Sequence, residues 1–215
     1  MKLMSVNIGK EQQLQKVDKV ITTGIFKLPA SGRVRVGELG LEGDVIMDKK
    51  HHGGPDQAVY VYGQADYDWW REQLGRDLPP GIFGENLTIS ELESASFNIG
   101  DVLIVGEVKL QVTAPRIPCS DFAARMEDLQ WVKKFRAAER PGLYCRVLQQ
   151  GFVQAGDPVS VEKYAGETLS LVQMYRDYYE SKKDEALIQR HLAAPIAVRA
   201  RRDMEDELAK LKSKS

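Results

Sequence analysis

The sequence predicts a mainly β protein followed by a small helical segment. Stretches such as R-V-R-V (33–36) and V-K-L-Q-V (108–112) alternate apolar and polar residues with the period of a half-buried strand. Glycine and proline turns separate these stretches at short intervals. Composition shifts near Glu162–Gly166, and three helix-like pieces lie beyond it. Two units are therefore expected, 1–164 and 165–215, the second too small to fold without the first.

Taken in order, Leu3 to Ile8 reads as a first strand closed by Gly9. Lys10 to Lys19 is polar and reads as a loop. Val17 to Lys27 is rich in β-branched residues and ends at the turn L-P-A-S-G. In R-V-R-V both arginines lie on the face opposite the valines. Exposed arginine is the norm, so that face reads first as solvent and second as a basic wall for an anion. Gly53-Gly54-Pro55-Asp56 is a tight turn feeding the strand A-V-Y-V-Y. Asp66 to Leu74 has Tyr67, Trp70 and Leu74 on one helical face and stops at Gly75. Asp101–Val105, a turn at Gly106-Glu107 and Val108–Val112 form a hairpin. Phe122, Met126, Leu129, Val132 and Phe135 or Arg136 share one face of a single helix ended by Pro141-Gly142. Leu143–Leu148, Gln149-Gln150-Gly151 and Phe152–Val161 read as a last hairpin. The helical pieces are Thr168–Glu180, with Thr168 as N-cap, Asp184–Leu192, and Pro195–Lys212 opened by its proline.

The 215 residues carry 30 basic and 31 acidic side chains, for a formal net charge of -1. That balance argues against a nucleic-acid surface or a membrane-steering patch. Two cysteines offer no disulfide framework, so a reducing, cytoplasmic setting is expected. The N-terminal M-K-L-M-S-V-N-I-G-K-E lacks the apolar run of a signal peptide, and no stretch approaches the roughly 20 apolar residues of a membrane span. His51 and His52 are adjacent on extended backbone and point apart, which disfavours a shared metal. Zinc-type spacing is absent too. One histidine beside a glycine turn suits a hydrogen-bond donor to an anion or oxo group.

The most informative stretch is V-K-L-Q-V-T-A-P-R-I-P-C-S-D (108–121). Pro115 and Pro118 stiffen the chain as it leaves a strand and present Cys119 on an extended segment. Arg116, three residues upstream, is placed to favour the thiolate. A lone cysteine also reads as a packed small hydrophobe, and on these residues both readings stand. Cys145, inside a strand pattern, reads as a packed residue.

G-L-E-G-D (40–44), H-H-G-G-P-D-Q-A-V (51–59), F-G-E-N-L (83–87), I-G-D (99–101) and P-R-I-P-C (115–119) together resemble the MOSC-domain proteins. Within these the chain looks most like the YiiM-type branch, bacterial proteins linked to resistance to 6-N-hydroxylaminopurine. Its C-terminal helices resemble that branch's 3-alpha domain. The resemblance implies a MOSC-type β-barrel followed by a small helical domain, and a cysteine that holds or receives sulfur at the molybdenum cofactor (molybdopterin). By position that cysteine is Cys119, the implied metal ligand and catalytic residue. A thiolate suits a soft, sulfur-ligated metal. The phosphate of the pterin calls for cations and N–H donors, with Lys27, Arg33, His52 and Arg116 as candidates beside the neutral Ser31 and Asn86. His52 is also the candidate proton donor, while Asp56 shapes the turn or orients His52. Many relatives follow the cysteine with an aromatic residue and a lysine, whereas this chain has Ser120 and Asp121. That exchange is expected to weaken thiolate stabilisation.

The implied activity is reduction of small N-hydroxylated bases or related compounds, a detoxification. The rival reading is a persulfide or cofactor carrier without turnover. No flavin, haem or Fe–S ligation pattern is present, so a separate reductase, a flavoprotein, is the expected electron donor. Pyridoxal phosphate is not expected, nor are nucleic-acid or membrane partners; a homodimer stays open.

Overall fold

The computed structural model describes residues 1–47 and 53–213. The chain starts with β1 (Leu3–Gly9), β2 (Gln12–Gln15), β3 (Val20–Thr23), β4 (Lys27–Pro29), β5 (Val34–Gly37) and β6 (Gly40–Leu41). Then come β7 (Val59–Gly63), α1 (Gln64–Leu74), β8 (Leu87–Ile89), β9 (Val102–Val105) and β10 (Val108–Pro115). Two short helices follow, α2 (Ser120–Arg125) and α3 (Trp131–Ala138), before β11 (Leu143–Gln149), β12 (Gly151–Val153) and β13 (Val159–Glu162). The chain ends in α4 (Leu171–Tyr178), α5 (Glu185–Ala193) and α6 (Val198–Lys212).

One large sheet runs β13-β9-β10-β11-β7-β8-β1-β4, beside the smaller sheets β12-β5-β6 and β2-β3. All of its pairings are antiparallel except β7 with β8. No ladder among the described residues closes it into the expected barrel. The start of β1 reaches the entry to β13 through a single bridge, Lys2 with Pro158, and nearby backbone bonds such as Leu3 N–H to Asp157 O (2.9 Å).

The sheet and the helices share one continuous apolar core that includes Leu110, Val112, Leu171 and Ile196. Its aromatic part lies under the cysteine loop. Trp70 of α1 packs on Trp131 of α3 at 4.6 Å between ring centroids, and Phe122 of α2 meets Phe135 at 5.1 Å. Burying such rings is worth a few kcal/mol each. Phe122, three residues after Cys119, thereby anchors the loop.

Several expectations are corrected. Residues 12–15, expected in a loop, form β2, because Leu14 is buried when the strand pairs with β3. The single helix expected across 122–136 is two. Glu127 has a left-handed φ of 56°, and Asp128 accepts from the Gln130 N–H (2.8 Å) to start α3. Leu129, expected on the buried face, is 81% exposed. The hairpin expected across 143–161 does not form: β12 pairs with β5, and β13 with β9. Alternation marks a strand without naming its partner. Helix α4 is capped by Ser170, whose Oγ accepts from Gln173 N–H (3.1 Å), and not by Thr168. Backbone bonds joining residues 169–171 to 97–99 keep that segment extended until Leu171. Pro195 precedes α6 without opening it, since Arg146 Nη2 donates to the carbonyls of Pro195 and Ile196 and holds them outside the helix.

Asp56 completes this clasp. Its Oδ1 pairs with Arg146 (3.0 Å) and its Oδ2 accepts from Val198 N–H (2.7 Å), the first orphan donor of α6. The role foreseen for Asp56 at the turn thus extends to a cap for a helix far along the chain. Asp56→Ala is expected to cost about 1 kcal/mol, the usual loss of an N-cap. Amide exchange should rise selectively at Val198–Arg201, and unchanged protection there would contradict the clasp.

Candidate functional site

Cys119 leaves the end of β10 in extended geometry (φ −124°, ψ 173°) and occupies the residue before α2. Its side chain is partly exposed, unlike Cys145, which is fully buried and whose thiol burial pushes well up. Cys119 lines an open pocket together with Thr23, Lys27, Gly53, Asn86, Arg116 and Tyr144.

Close backbone packing builds the pocket wall. A Cβ on Gly9 would sit 2.1 Å from Gly24 O, and one on Gly24 would sit 1.9 Å from Val45 O. Only glycine lets the three segments stack so tightly, and the stacking delivers Asp44 to its partners. Asp44 accepts from Gly9 N–H (2.7 Å), from Asn86 Nδ2 (2.9 Å) and, through both oxygens, from Lys27 Nζ. Lys27 and Asp44 form a buried ion pair, with side chains 8% and 4% exposed. Burial draws the Lys27 pKa below the ordinary lysine value, and the Asp44 carboxylate works against that pull. Asn86 spans the wall, accepting from Tyr60 N–H at 3.1 Å.

Arg116 forms the floor. Its guanidinium lies 4.9 Å from the ring centre of Tyr60 and 4.2 Å from that of Phe122, and Nη1 donates to Phe83 O. Gly84, at φ 74°, makes the room, because a Cβ there would come within 3.2 Å of Nη1. Burial opposes the Arg116 charge, yet Tyr144, Tyr60 and Cys119 outweigh it and hold the pKa above the ordinary arginine value. Its Nε is buried with no hydrogen-bond partner among the described residues. A buried cation with a spare donor, stacked between aromatic rings, is built to receive an anion.

The structure brings Lys27, Asn86, Arg116 and Cys119 together around this pocket. It does not bring Ser31 or Arg33 there. Ser31 is exposed, while Arg33 pairs with Glu107 (2.8 Å) and lies over Phe152. Arg33 is exposed just before β5, so the first reading of R-V-R-V holds for it. His51 and His52 lie outside the described residues. The expected penalty of Asp121 is met from a distance: Lys16, at the β2–β3 turn, donates to both Ser120 Oγ and Asp121 Oδ1 at 2.7 Å. The positive charge missing after Cys119 in sequence is present in space.

Asp44 and Lys16 were missed as site residues by sequence reasoning. Asp44 ends the quoted G-L-E-G-D run, and an acid closing a glycine-rich irregular stretch could have marked it. Lys16 contacts residues more than a hundred positions away, and no local pattern announces that.

The MOSC domain family matches residues 48–160, more than half of the chain. The chain belongs to the MOSC family. This MOSC protein is 37% identical over 191 residues to YflK of Bacillus subtilis (strain 168), covering 89% of this chain and 86% of that one. It is 32% identical over 143 residues to YiiM of Escherichia coli (strain K12), covering 65% of this chain and 63% of YiiM. A protein of Gibberella moniliformis (strain M3125 / FGSC 7600) named "Reductase" is 32% identical over 149 residues, 66% of this chain but 26% of that longer protein. The crystal structure of YiiM from Geobacillus stearothermophilus superposes with a TM-score of 0.78 at 27% identity, covering 96% of this chain and 98% of that one. The chain is thus a MOSC protein of the YiiM type, and MOSC domains as a family are associated with the molybdenum cofactor. Among the described residues no helix is long and apolar enough to cross a membrane.

Proposed function

We propose that this MOSC protein holds molybdenum cofactor through Cys119 and reduces N-hydroxylated bases or related compounds, a detoxification. One observation carries the reading: a partly exposed thiol shares a pocket with two buried cations, Lys27 and Arg116. The donor set fits the group. The thiolate is a soft ligand, the spare Arg116 Nε–H and the Lys27 ammonium match an anionic arm, and Asn86 borders the same wall. The likeness to a protein named "Reductase" supports redox chemistry as the class.

The overall reaction is R–NH–OH + 2 e⁻ + 2 H⁺ → R–NH₂ + H₂O, in which the N–O bond breaks and nitrogen is reduced. When bound, the cofactor supplies the electron chemistry. The chain orients it through Lys27 and Arg116, and its Tyr60 and Phe122 rings hold the Arg116 plane. The imidazole of His52 is the proposed proton donor to the departing oxygen, since its ordinary pKa lies near neutrality. A separate reductase, a flavoprotein, delivers the electrons.

Protein expressed in cells that make the cofactor tests this directly. Wild type is expected to retain molybdenum and to reduce 6-N-hydroxylaminopurine with a reduced viologen dye as donor. Cys119→Ser is expected to lose both, with the melting temperature of the cofactor-free protein unchanged. Sulfane sulfur on Cys119 without molybdenum would instead favour the carrier. Metal-loaded protein that reduces nothing under reducing conditions would overturn the enzyme reading.

A further inference from the structure

A second pocket, of about 410 Å³, is also lined by Cys119 and lies between the cysteine loop and the C-terminal helices. The two pockets share three residues, Gln57, Cys119 and Tyr144. We propose that this second pocket receives the flat organic body of the substrate, so that the thiol stands at the junction of a cofactor lobe and a substrate lobe. The proposal rests on the function proposed above and adds where the substrate lies and which residues choose it.

The two lobes differ in chemistry. The first carries the charged Lys27, Arg116 and Asp121 and hydroxyl and amide groups, beside apolar Ile25, Val45, Ile46 and Met47. The second is walled by Pro115, Ile117, Met174, Ala197 and Ala200, with Arg199 and Asp203 on the exposed side of α6. A phosphate-bearing arm placed there would find no buried cation, and an unpaired buried charge is costly. An aromatic ring would lose water against apolar walls, at roughly 25 cal/mol per Å² of surface removed. Met174 adds a polarisable sulfur of the kind that favours ring contacts. At about 410 Å³ the pocket lies toward the lower end of the roughly 300–1,000 Å³ usual for small-molecule sites, which is enough for one or two fused rings. The small side chains of Ala197 and Ala200 on one face of the α6 entry leave the space open. The C-terminal segment then sets specificity by shape, and the cysteine loop holds the reacting end.

The test uses full-length protein and two readouts. In the first, Cys119 of cofactor-free protein is alkylated with iodoacetamide, with 6-N-hydroxylaminopurine as the probe and Cys145 as the buried internal control. The probe is expected to slow alkylation at least threefold in wild type and not at all in Ala200→Trp, whose indole fills the lobe. In the second, molybdenum-loaded protein is assayed with the ring compound and with hydroxylamine, which has no ring. The ratio of KM values, ring compound over hydroxylamine, is expected to rise about tenfold or more in Ala200→Trp. Ala200→Leu, a milder filling, should give a smaller rise and stands in if the tryptophan variant fails to fold. No protection in wild type, or an equal rise in both KM values, would overturn the proposal. The alkylation readout needs no turnover, so an inactive wild type that is still protected by the probe would reject the reductase reading alone.

Discussion

Asp44→Ala is expected to destabilise the protein by about 3–5 kcal/mol, the usual consequence of removing one partner from a buried ion pair. Three donors converge on this carboxylate: Lys27 Nζ, Gly9 N–H and Asn86 Nδ2–H. The variant strands all three in a tightly packed, largely buried wall. Lys27 would respond by losing its proton. In the wild type its folded pKa already lies below 10.5, so the unfolded chain binds more protons in that interval and stability from this group rises with pH through it. Without Asp44 the Coulombic and hydrogen-bond support for the charge disappears, and the lower edge of the interval moves further down. The gap in stability between wild type and variant should therefore narrow as pH rises from neutrality toward 10. Chemical denaturation across that range measures it, and a gap that widens would contradict this account of Lys27.

Glu85→Ala is expected to cost a similar amount, about 3–5 kcal/mol, with no direct part in chemistry. One oxygen, Oε1, accepts from Tyr67 Oη (2.6 Å), Gly81 N (2.7 Å), Thr88 Oγ1 (2.8 Å) and Asn7 Nδ2 (3.5 Å), while Oε2 is buried without a partner. Burial pushes the Glu85 pKa up, and the hydrogen bonds from Tyr67, Gly81 and Thr88 only partly offset it. A carboxyl raised in the folded state contributes stability that is complete below its unfolded pKa and is lost as pH rises through its folded pKa. Glu85→Gln keeps the accepting oxygen and cannot ionise. It should therefore gain on wild type as pH increases from 4 to 8, whereas Glu85→Ala stays far below both. Parallel pH–stability curves for wild type and Glu85→Gln would show that Glu85 does not titrate in this range.

These two acids show what the sequence discloses. Both sit in the quoted motifs G-L-E-G-D and F-G-E-N-L, so their presence was legible and their roles were not. A motif marks that a residue type is required, whereas Glu85 works by gathering donors from β1, α1 and β8, and no local pattern lists them. Cys119 and Arg116 could be singled out because their surroundings are written nearby, two prolines after a strand end, whereas Lys27 was marked only by the family resemblance. Arg33 misled because alternation gives a side chain's face but not which sheet will carry it. The strands themselves were largely readable from alternation. Their partners were not, as β12 shows by leaving β11 for β5. The helix broken at Glu127 failed for a related reason: apolar spacing of three and four continues across a left-handed residue that leaves no trace in the pattern.

The Asp56–Arg146 clasp bears on how such chains can be recombined. It ties the turn after the two histidines to the strand beside the cysteine loop and to the first amide of the last helix. A graft that exchanged the tail of this chain for that of a relative would import a new helix start while keeping the old acid and base beneath it. Successful chimaeras are therefore expected to carry positions 56 and 146 together with the tail, as one inherited unit.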